Sequence, residues 1–243
     1  MSAGQVLNEG KSKKMITTDD PEVLIQYFKD DATAFNGVKK GIIGSKGKVN
    51  CAISARIFQW LETEGVKTHY RGLQSEIEML VDRVEIIPLE VVFRNVAAGS
   101  LAKRFGIEEG TELDSPLQEF FLKDDDLGDP LLTRNHVLAF GWADDETMDH
   151  LIAEGRKVHD LLTEFWKGLG IKLVDHKLEF GRRADGTIVL ADEITPDGCR
   201  LWEIGTDRKM DKDRFRRSLG KVEETYAEVA DLVAKALPLD AQV

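Results

Sequence analysis

Two acidic side chains near a predicted β-hairpin have the chemistry of a metal site. The dipeptide Asp185-Gly186 stands between two runs rich in β-branched and apolar residues, which is typical of a tight hairpin turn. If Ala184 pairs with Thr187, counting outward from the turn places Glu179 opposite Asp192. Opposed Cβ atoms lie roughly 4.5–5.5 Å apart, so two carboxylates there repel unless a cation lies between them. Because Mg²⁺ takes carboxylates together with substrate phosphates, the pattern predicts a site for magnesium and phosphate.

The strand before this turn carries further charged groups. The same register places Lys177 opposite Ile194, and the strand period of two puts Asp175, Lys177 and Glu179 on one face. Three charged side chains in succession are spaced to line a cleft. The solvated outer face of an antiparallel sheet alternates in the same way, so alternation alone leaves both interpretations open.

A basic, glycine-containing segment near the N-terminus could approach a phosphate group. Two predicted short strands enclose Gly10, Lys11, Ser12 and Lys13. A P-loop would need a glycine at the position of Gln5 and a helix directly afterwards, and the segment has neither. Two ammonium groups beside a close backbone approach would suit a triphosphate. A solvated basic turn is the alternative.

A second candidate phosphate site lies where a predicted strand gives way to a short helix. Arg94 ends the strand, and Gly99-Ser100 opens a helix predicted over residues 101–105. Ser100 is a favourable N-cap residue. Free N–H groups at a helix start beside an arginine could hold a phosphate or carboxylate. An ordinary capped helix explains the same residues without any ligand.

The remaining patterns predict the elements that position these residues. Strands are predicted over residues 23–29, 68–71, 76–81, 84–93 and 117–123, and helices over 50–64, 145–169 and 221–237. A long mobile loop is predicted over 32–48, including Asn36-Gly37, and a solvated helix face over 206–217. Pro88 cannot donate to a central ladder, so residues 86–88 indicate a join between two lobes. His150 and His159 lie on opposite sides of their helix, so both are interpreted as structural.

Length and composition restrict the class of protein. The chain has 243 residues, enough for one large domain or two small lobes. With 33 Lys and Arg against 44 Asp and Glu, the net charge of −11 disfavours a general nucleic-acid binder. No apolar run approaches the length of a membrane span, and a membrane partner is not expected. Cys51 and Cys199 form no CxxC pair, which favours a reducing cytoplasm.

Four segments carry a resemblance to a known family. Residues 192–202, DEITPDGCRLW, closely resemble the D-E-x-x-(T/S)-P-D-(G/S)-x-R-x-W stretch of the phosphoribosylaminoimidazole-succinocarboxamide synthases, also called SAICAR synthetases. The segments LNEGKSK, EVVFRNVAAGS and DKDRFR, which begin at Leu7, Glu90 and Asp211, match the family in the same order. The resemblance covers essentially the whole chain, and four ordered matches are highly specific. Asn36 departs from an aspartate found in some relatives.

The resemblance implies an activity and a fold. The activity is ATP-dependent joining of L-aspartate to a carboxyaminoimidazole ribonucleotide, CAIR, through an acyl phosphate in purine synthesis, with Mg²⁺ as cofactor. The fold is α+β and two-lobed, similar to ATP-grasp enzymes. A mainly antiparallel β lobe at residues 1–87 covers the nucleotide, a larger α+β lobe spans 88–243, and ATP lies between them. A cytoplasmic homo-oligomer, a dimer, is expected.

The resemblance also implies roles for individual residues. The nucleotide-binding set is Gly10, Lys11, Ser12, Lys13, Ile86, Lys123, Glu179 and Asp192, of which Glu179 and Asp192 hold the metal. The substrate-binding set is Arg94, Ser100, Asp197, Arg200 and Arg214, and the catalytic set is Asp175, Lys177 and Arg200. A surface salt bridge is the alternative role for Lys123. Two other functions are weighed: a small-molecule kinase, which would release a phosphorylated product without consuming an amine, and a nucleotide-binding module without turnover.

Overall fold

The computed structural model describes residues 4–34 and 38–239. Its strands are β1 (Val6–Glu9), β2 (Lys13–Thr17), β3 (Val23–Phe28), β4 (Asp31–Ala34), β5 (Lys39–Ile42), β6 (Tyr70–Ser75), β7 (Glu78–Asp82), β8 (Glu85–Val96), β9 (Glu112–Leu122), β10 (Leu131–Leu132), β11 (Ile171–Arg182), β12 (Ile188–Ala191) and β13 (Cys199–Glu203). Its helices are α1 (Lys46–Thr63), α2 (Gly99–Phe105), α3 (Arg134–Phe140), α4 (Asp145–Gly168), α5 (Asp213–Arg216) and α6 (Val222–Ala236). No helix among these residues is both long and apolar enough to cross a membrane.

The strands form two larger antiparallel sheets and one separate hairpin. The first sheet has the order β1-β2-β3-β7-β6, and the second has the order β10-β9-β8-β11-β12, with β13 also paired to β11. β4 and β5 form the hairpin. This arrangement of antiparallel sheets and helices confirms the predicted α+β class. The lobe boundary after residue 87 stays a prediction, since β8 begins at Glu85 and runs through that position.

The helices bury their apolar faces against the sheets in one continuous core. α4 packs on β11 and β8, whereas α1 packs on β3, β6 and α6. The core includes Phe58 of α1, Phe93 of β8, Trp166 of α4 and Leu178 of β11, each at most 1% exposed. Burial of these large apolar side chains in one core fixes the position of β11.

β11 is the strand on which the charged residues depend. It pairs with β8 along one edge. Along its other edge it pairs first with β13, over Ile171–His176, and later with β12, over Glu179–Arg182. The chain between these two partners, residues 192–198, leaves the sheet beside Lys177, whose backbone N–H donates to the carbonyl of Gly198 at 3.1 Å. The fold thus brings this loop against the middle of β11.

The predicted hairpin register is wrong by one residue. Arg182 pairs with Ile188 and Glu179 pairs with Ala191, so Glu179 does not face Asp192 across the ladder. Within the turn, the N–H of Gly186 bonds to the carbonyl of Arg183 at 2.9 Å, and its φ is +87°. Arg182 and Ile188 enclose an odd number of residues, 183–187, so every pairing counted outward from the turn is shifted by one residue. The predicted pairing of Lys177 with Ile194 is also wrong, because residue 194 lies in the loop outside the sheet.

Several local predictions also need correction. The predicted loop 32–48 contains β4, β5 and the start of α1 at Lys46, while Asn36-Gly37 lies outside the described residues. Residues 206–217 hold only the short α5, and Asp211 and Asp213 are buried there instead of solvated. Ala98 is the N-cap of α2, so Ser100 lies inside that helix. Pro88 lies within β8, at a break in the β8–β11 register. The other predicted strands and helices are confirmed, with ends shifted by a few residues.

Candidate active site

A cavity of about 820 Å³ is lined by residues of both large sheets and of the loop 192–198. All eight residues of the predicted nucleotide-binding set line it: Gly10, Lys11, Ser12, Lys13, Ile86, Lys123, Glu179 and Asp192. Lys177 and Asp197 line it as well. Apolar side chains contribute another part of the wall, namely Leu7, Met15, Leu24, Val84 and Ile86. The cavity therefore suits a ligand with one apolar part and one strongly charged part.

Lys177 is the centre of the charged part. Its Nζ lies 3.2 Å from Oε1 of Glu90 and 3.5 Å from Oδ2 of Asp192, and it also donates to Glu179. Although burial lowers the pKa of Lys177, the carboxylates of Glu179, Asp192 and Glu90 raise it well above its ordinary value. Lys177 is therefore protonated at neutral pH, so it can neutralise charge but cannot act as a base.

Two further lysines pair with the same carboxylates. Lys13 forms an ion pair with Asp192 and approaches Oε1 of Glu193 at 3.0 Å. Lys123 donates to Oε2 of Glu179 at 2.7 Å. Burial raises the pKa of Asp192, but Lys13 and Lys177 more than offset this and hold it far below its usual range. Lys123 thus lines the cavity while its side chain is 43% exposed, and its nucleotide contact stays a prediction.

Glu179 and Asp192 come together by a different route from the one the sequence predicts. Asp192 follows the last residue of β12 and has a φ of +65°, so the alternation of the strand does not fix its direction. Both carboxylates contact the ammonium of Lys177. Glu179 and Asp192 do lie near each other, as predicted, although the strand register used for that prediction is wrong.

The carboxylates around Lys177 are candidate ligands for a metal ion. Within residues 4–34 and 38–239, no cluster of three or more His, Cys, Asp and Glu side chains has the arrangement of a metal site. Oxygens of Glu90, Glu179 and Asp192 nevertheless converge on one ammonium. These are the donors that Mg²⁺ takes, and it completes its shell with phosphate oxygens and water. The donor set fits a cation that arrives together with phosphate groups.

A second charged cluster lies farther along the same face of β11. Oδ2 of Asp175 accepts hydrogen bonds from Nη1 of Arg94 at 2.9 Å and from Nη1 of Arg200 at 2.7 Å. Nη2 of Arg94 donates to Oγ of Ser100 at 3.3 Å. Asp175 lies between its two partners because β11 pairs with both strands there, opposite Arg94 on β8 and Arg200 on β13. The structure therefore brings together four residues predicted for substrate binding or catalysis.

Two acidic partners of the site residues were not predicted from the sequence. Buried Glu119 of β9 accepts from Nε of Arg94 at 2.7 Å and also from Arg104. Glu90 was missed too, although it pairs directly with Glu179 across β8 and β11. A signal for it existed, because the period of two puts Glu90 and Arg94 on one face of β8.

Asp197 is held by donors from three other parts of the chain. Its Oδ2 lies 3.0 Å from Nζ of Lys46 and 3.5 Å from Nζ of Lys212, and its Oδ1 accepts from Tyr226 Oη at 2.6 Å. Lys46 and Asp197 are 1% and 5% exposed. Burial raises the pKa of Asp197, but Lys212, Lys46 and Tyr226 hold it far below its usual range. The predicted contact of Asp197 with substrate gains no support, since both oxygens already have protein partners.

Arg214 has a different environment from the other predicted substrate residues. Its guanidinium donates to the backbone carbonyls of Gly220 at 2.8 Å, Lys209 at 3.1 Å and Leu219 at 3.2 Å. Like Arg94, Ser100 and Arg200, it does not line the cavity, whereas Arg216 does. These bonds fix the turn after α5, and they give no support to a substrate contact for Arg214.

His69 is a further cavity residue that the sequence analysis missed. Its side chain is 2% exposed, and its Nε2 has no hydrogen-bond partner among the described residues. Burial lowers its pKa to about 4, so the ring is neutral at pH 7. It packs edge-on against Phe58, at 5.2 Å between ring centroids. No local pattern in the sequence marks this residue.

Comparison with known sequences identifies relatives along almost the whole chain. The family model for SAICAR synthetase matches residues 6–233. A phosphoribosylaminoimidazole-succinocarboxamide synthase of Magnetococcus marinus is 55% identical over 240 residues, which covers 98% of this chain and 99% of the relative. One of Coprothermobacter proteolyticus is 53% identical over 225 residues, with 93% and 95% covered.

Solved structures agree with these relatives. The phosphoribosylaminoimidazole-succinocarboxamide synthase of Ehrlichia chaffeensis superposes with a TM-score of 0.93 at 44% identity, covering 97% of this chain and 100% of that one. A SAICAR synthetase solved in complex with ADP gives a TM-score of 0.91 at 43% identity and the same coverage. Since the family model and relatives above half identity both span nearly the full length, the chain belongs to the SAICAR synthetase family.

Proposed function

We propose that this protein is an ATP-dependent ligase that joins L-aspartate to CAIR, giving SAICAR, ADP and phosphate in de novo purine biosynthesis. Membership of the family supports this activity. The observation that carries it is the layout of β11. Asp175 accepts hydrogen bonds from two arginines suited to an anionic ribonucleotide. Lys177 and Glu179, which lie two and four residues farther along β11, line the large cavity. The carboxylate to be activated and the phosphate that activates it can therefore meet along one strand.

The chemistry requires activation of a carboxylate. A carboxylate is a poor acyl donor because its oxide is a very bad leaving group. Transfer of the γ-phosphoryl group of ATP to the CAIR carboxylate gives an acyl phosphate and ADP. The aspartate amine then attacks the carbonyl carbon, a C–N bond forms, the C–O bond to phosphate breaks, and the amine loses its protons to solvent. Proteins assist such steps mainly by positioning and charge neutralisation.

The basic residues of the cavity would bind the triphosphate of ATP. Lys11 and Lys13 extend from the β1–β2 turn, and Lys123 follows β9. The N–H of Gly10 bonds to the carbonyl of Lys13 at 2.9 Å, which holds this turn tightly closed. The apolar wall that includes Ile86 would receive the base. A relative solved with ADP supports a nucleotide in this family.

Glu179 and Asp192 would hold Mg²⁺ on the phosphates. The ion supplies positive charge that offsets the charge of the phosphate oxygens during transfer. Lys177 contacts both carboxylates and remains protonated, so its ammonium can also stabilise the transferred phosphoryl group. Lys13 and Lys123 would then exchange part of their carboxylate contacts for phosphate oxygens.

Arg94, Ser100 and Arg200 would bind the phosphate or carboxylate of the ribonucleotide. A guanidinium has five N–H donors. Within the described residues, Arg200 uses Nε toward Asp213 at 3.2 Å and Nη1 toward Asp175 at 2.7 Å, which leaves the rest of its guanidinium for a ligand. Asp175 acts as the positioning carboxylate that orients both arginines.

The decisive experiment is an assay with ATP, Mg²⁺, L-aspartate and CAIR, each omitted in turn. We expect ADP, phosphate and SAICAR to appear together, and only when all four are present. Full phosphorylation of an acceptor without aspartate would instead indicate a kinase. ATP binding without turnover under any condition would indicate a nucleotide-binding module.

Assembly and location are proposed on the same basis. We expect a homodimer in solution, which sedimentation velocity can test directly. A cytoplasmic location is consistent with Cys51 and Cys199, both buried free thiols.

A further inference from the structure

Lys212 and Arg216 form a cationic pair that the proposed roles of ATP and CAIR leave unused. Lys212 directly precedes α5 and Arg216 ends it, and the N–H of Arg216 bonds to the carbonyl of Lys212 at 2.9 Å. Residues four apart in a helical turn have Cβ atoms roughly 5–6 Å apart on the same side. Both line the large cavity, and their side chains are 13% and 27% exposed.

Both cations have unused donor capacity. Oδ2 of Asp197 is closer to Lys46, at 3.0 Å, than to Lys212, at 3.5 Å, and Tyr226 occupies its Oδ1. Asp197 is therefore satisfied without Lys212, and an ammonium has three donors. The guanidinium of Arg216 donates from Nη1 to Asp213 at 2.7 Å, and its Nε and Nη2 have no protein partner among the described residues.

Several cations beside the pair share one carboxylate. Asp213 is shared by three arginines, through ion pairs with Arg200 at 3.2 Å, Arg216 at 2.7 Å and Arg217 at 3.5 Å. Its neighbour Asp211 is only about half ionised at neutral pH, because burial and Asp213 raise the pKa of Asp211 to about 7. Unused cationic donors in a cavity favour an anionic ligand.

Shared carboxylate partners connect the pair to the residues of the proposed sites. Asp213 links Arg216 to Arg200, which holds the proposed ribonucleotide site. Asp197 links Lys212 to the loop whose Gly198 carbonyl accepts from the backbone of Lys177 at 3.1 Å. A ligand on Lys212 and Arg216 would therefore lie next to the proposed ribonucleotide site.

We propose that Lys212 and Arg216 bind the two carboxylates of L-aspartate and so present its amine to the acyl phosphate. This assignment depends on the proposed ligase function. Two cations one helical turn apart match a short dicarboxylate, since each can take one carboxylate while the α-amine between them stays free. An amino acid with a single carboxylate engages only one of them.

The test separates aspartate binding from the activation of CAIR. In Lys212→Met and Arg216→Gln we expect the KM for L-aspartate to rise by about tenfold to a hundredfold, the size expected for loss of one charged hydrogen bond. The KM values for ATP and CAIR should change by no more than about twofold from the wild-type values, far less than the KM for L-aspartate. Inhibition by succinate, which has both carboxylates and no amine, should weaken in parallel. Lys221→Met is the matched control, because Lys221 is exposed and outside the cavity.

Hydroxylamine provides the second measurement. It attacks an acyl phosphate to give a hydroxamate and phosphate, and it has no carboxylate to bind. We expect both variants to form hydroxamate from CAIR and ATP at close to the wild-type rate. Lys212→Arg, which keeps the charge, should retain most of the affinity for aspartate and guards against a simple folding defect.

The outcomes are distinguishable. An unchanged KM for aspartate in both variants would overturn the assignment, and so would an equal loss of the aspartate and hydroxylamine reactions. If the wild-type protein forms neither SAICAR nor hydroxamate, the ligase function itself fails.

Discussion

Arg94 and Asp175 face each other across the pairing of β8 with β11, and Nη1 of Arg94 donates to Oδ2 of Asp175 at 2.9 Å. Arg94 is 4% exposed, and its remaining donors reach Glu119 and Ser100. One buried guanidinium thus connects β8, β9, β11 and α2. Such a residue shapes the proposed ribonucleotide site and also stabilises the fold.

Replacing Arg94 by lysine should therefore not be conservative. An ammonium cannot reproduce the fixed planar set of donors with which the guanidinium reaches Glu119, Asp175 and Ser100. We expect the affinity for CAIR to fall by about tenfold or more while ATP affinity stays unchanged, as measured by calorimetry. Arg104→Lys is the control, since Arg104 contacts the same Glu119 from a position that is 27% exposed. Equal losses for CAIR and ATP would mean that Arg94 serves only the structure.

Asp192 provides a test of the metal site. Asp192→Asn should reduce turnover by about 10- to 100-fold or more and shift the magnesium dependence. Had Asp192 directly opposed Glu179, this change would relieve repulsion and stabilise the protein. In the structure Asp192 pairs with Lys13 and Lys177, so we expect the free energy of unfolding to fall by about 1–3 kcal/mol. Normal turnover with unchanged magnesium dependence would exclude Asp192 as a ligand.

The sequence predicts one part of this site well for a physical reason. Side chains alternate along a strand, so the common face of Asp175, Lys177 and Glu179 follows from position alone. The ion pair between Lys177 and Glu179 confirms that face. The direction of Asp192 did not follow, because a residue with a φ of +65° at a strand end obeys no alternation.

Long-range contacts were beyond the sequence for another reason. Lys46, Asp197 and Tyr226 are far apart in the chain and meet only because α1 and α6 pack together beside the loop 192–198. The residue pattern within a single helix or strand carries no information about contacts between segments that are far apart in the chain. Lys46 was also hidden within a predicted loop, since the glycines around it mask the start of α1.

This contact leads to a prediction about stability. Lys46→Met should lower the free energy of unfolding by about 3–5 kcal/mol, because it leaves part of the buried Asp197 charge uncompensated. Lys48→Met should change it little, since Lys48 and its partner Glu76 are 54% and 74% exposed. Urea unfolding of both variants measures the difference. Similar values for the two would show that Lys212 and Tyr226 suffice to hold Asp197.

Buried histidines should make stability depend on pH. Nδ1 of His159 and Nε2 of His176 are 3.0 Å apart, and Phe93 stacks on both rings. Burial lowers the pKa of His159 to about 4 and that of His176 well below its ordinary value. The unfolded chain therefore takes up protons first, and their contribution to stability is lost as pH falls below about 6.5.

The measurement compares the wild type with His176→Leu at pH 7 and pH 5. Between pH 7 and pH 5, the difference in free energy of unfolding should change in favour of the variant by about 1–2 kcal/mol. Asp211 acts in the opposite direction, because its pKa is raised to about 7, but its contribution cancels in this comparison. If the difference in free energy of unfolding did not depend on pH, His176 would take up a proton in the folded protein as readily as in the unfolded chain.

Gly99 and Gly106 offer a matched test of Arg200. They lie at the start and just after the end of α2, with φ of +54° and +64°. A Cβ on Gly99 would overlap the guanidinium of Arg200, whereas a Cβ on Gly106 would meet nothing within 4 Å. Alanine at either position carries a similar backbone cost of about 1 kcal/mol. Only Gly99→Ala should displace Arg200, so we expect it to raise the KM for CAIR by about tenfold and leave that for ATP unchanged. Gly106→Ala should match the wild type in both, and an equal CAIR response in the two variants would remove Arg200 from the ribonucleotide site.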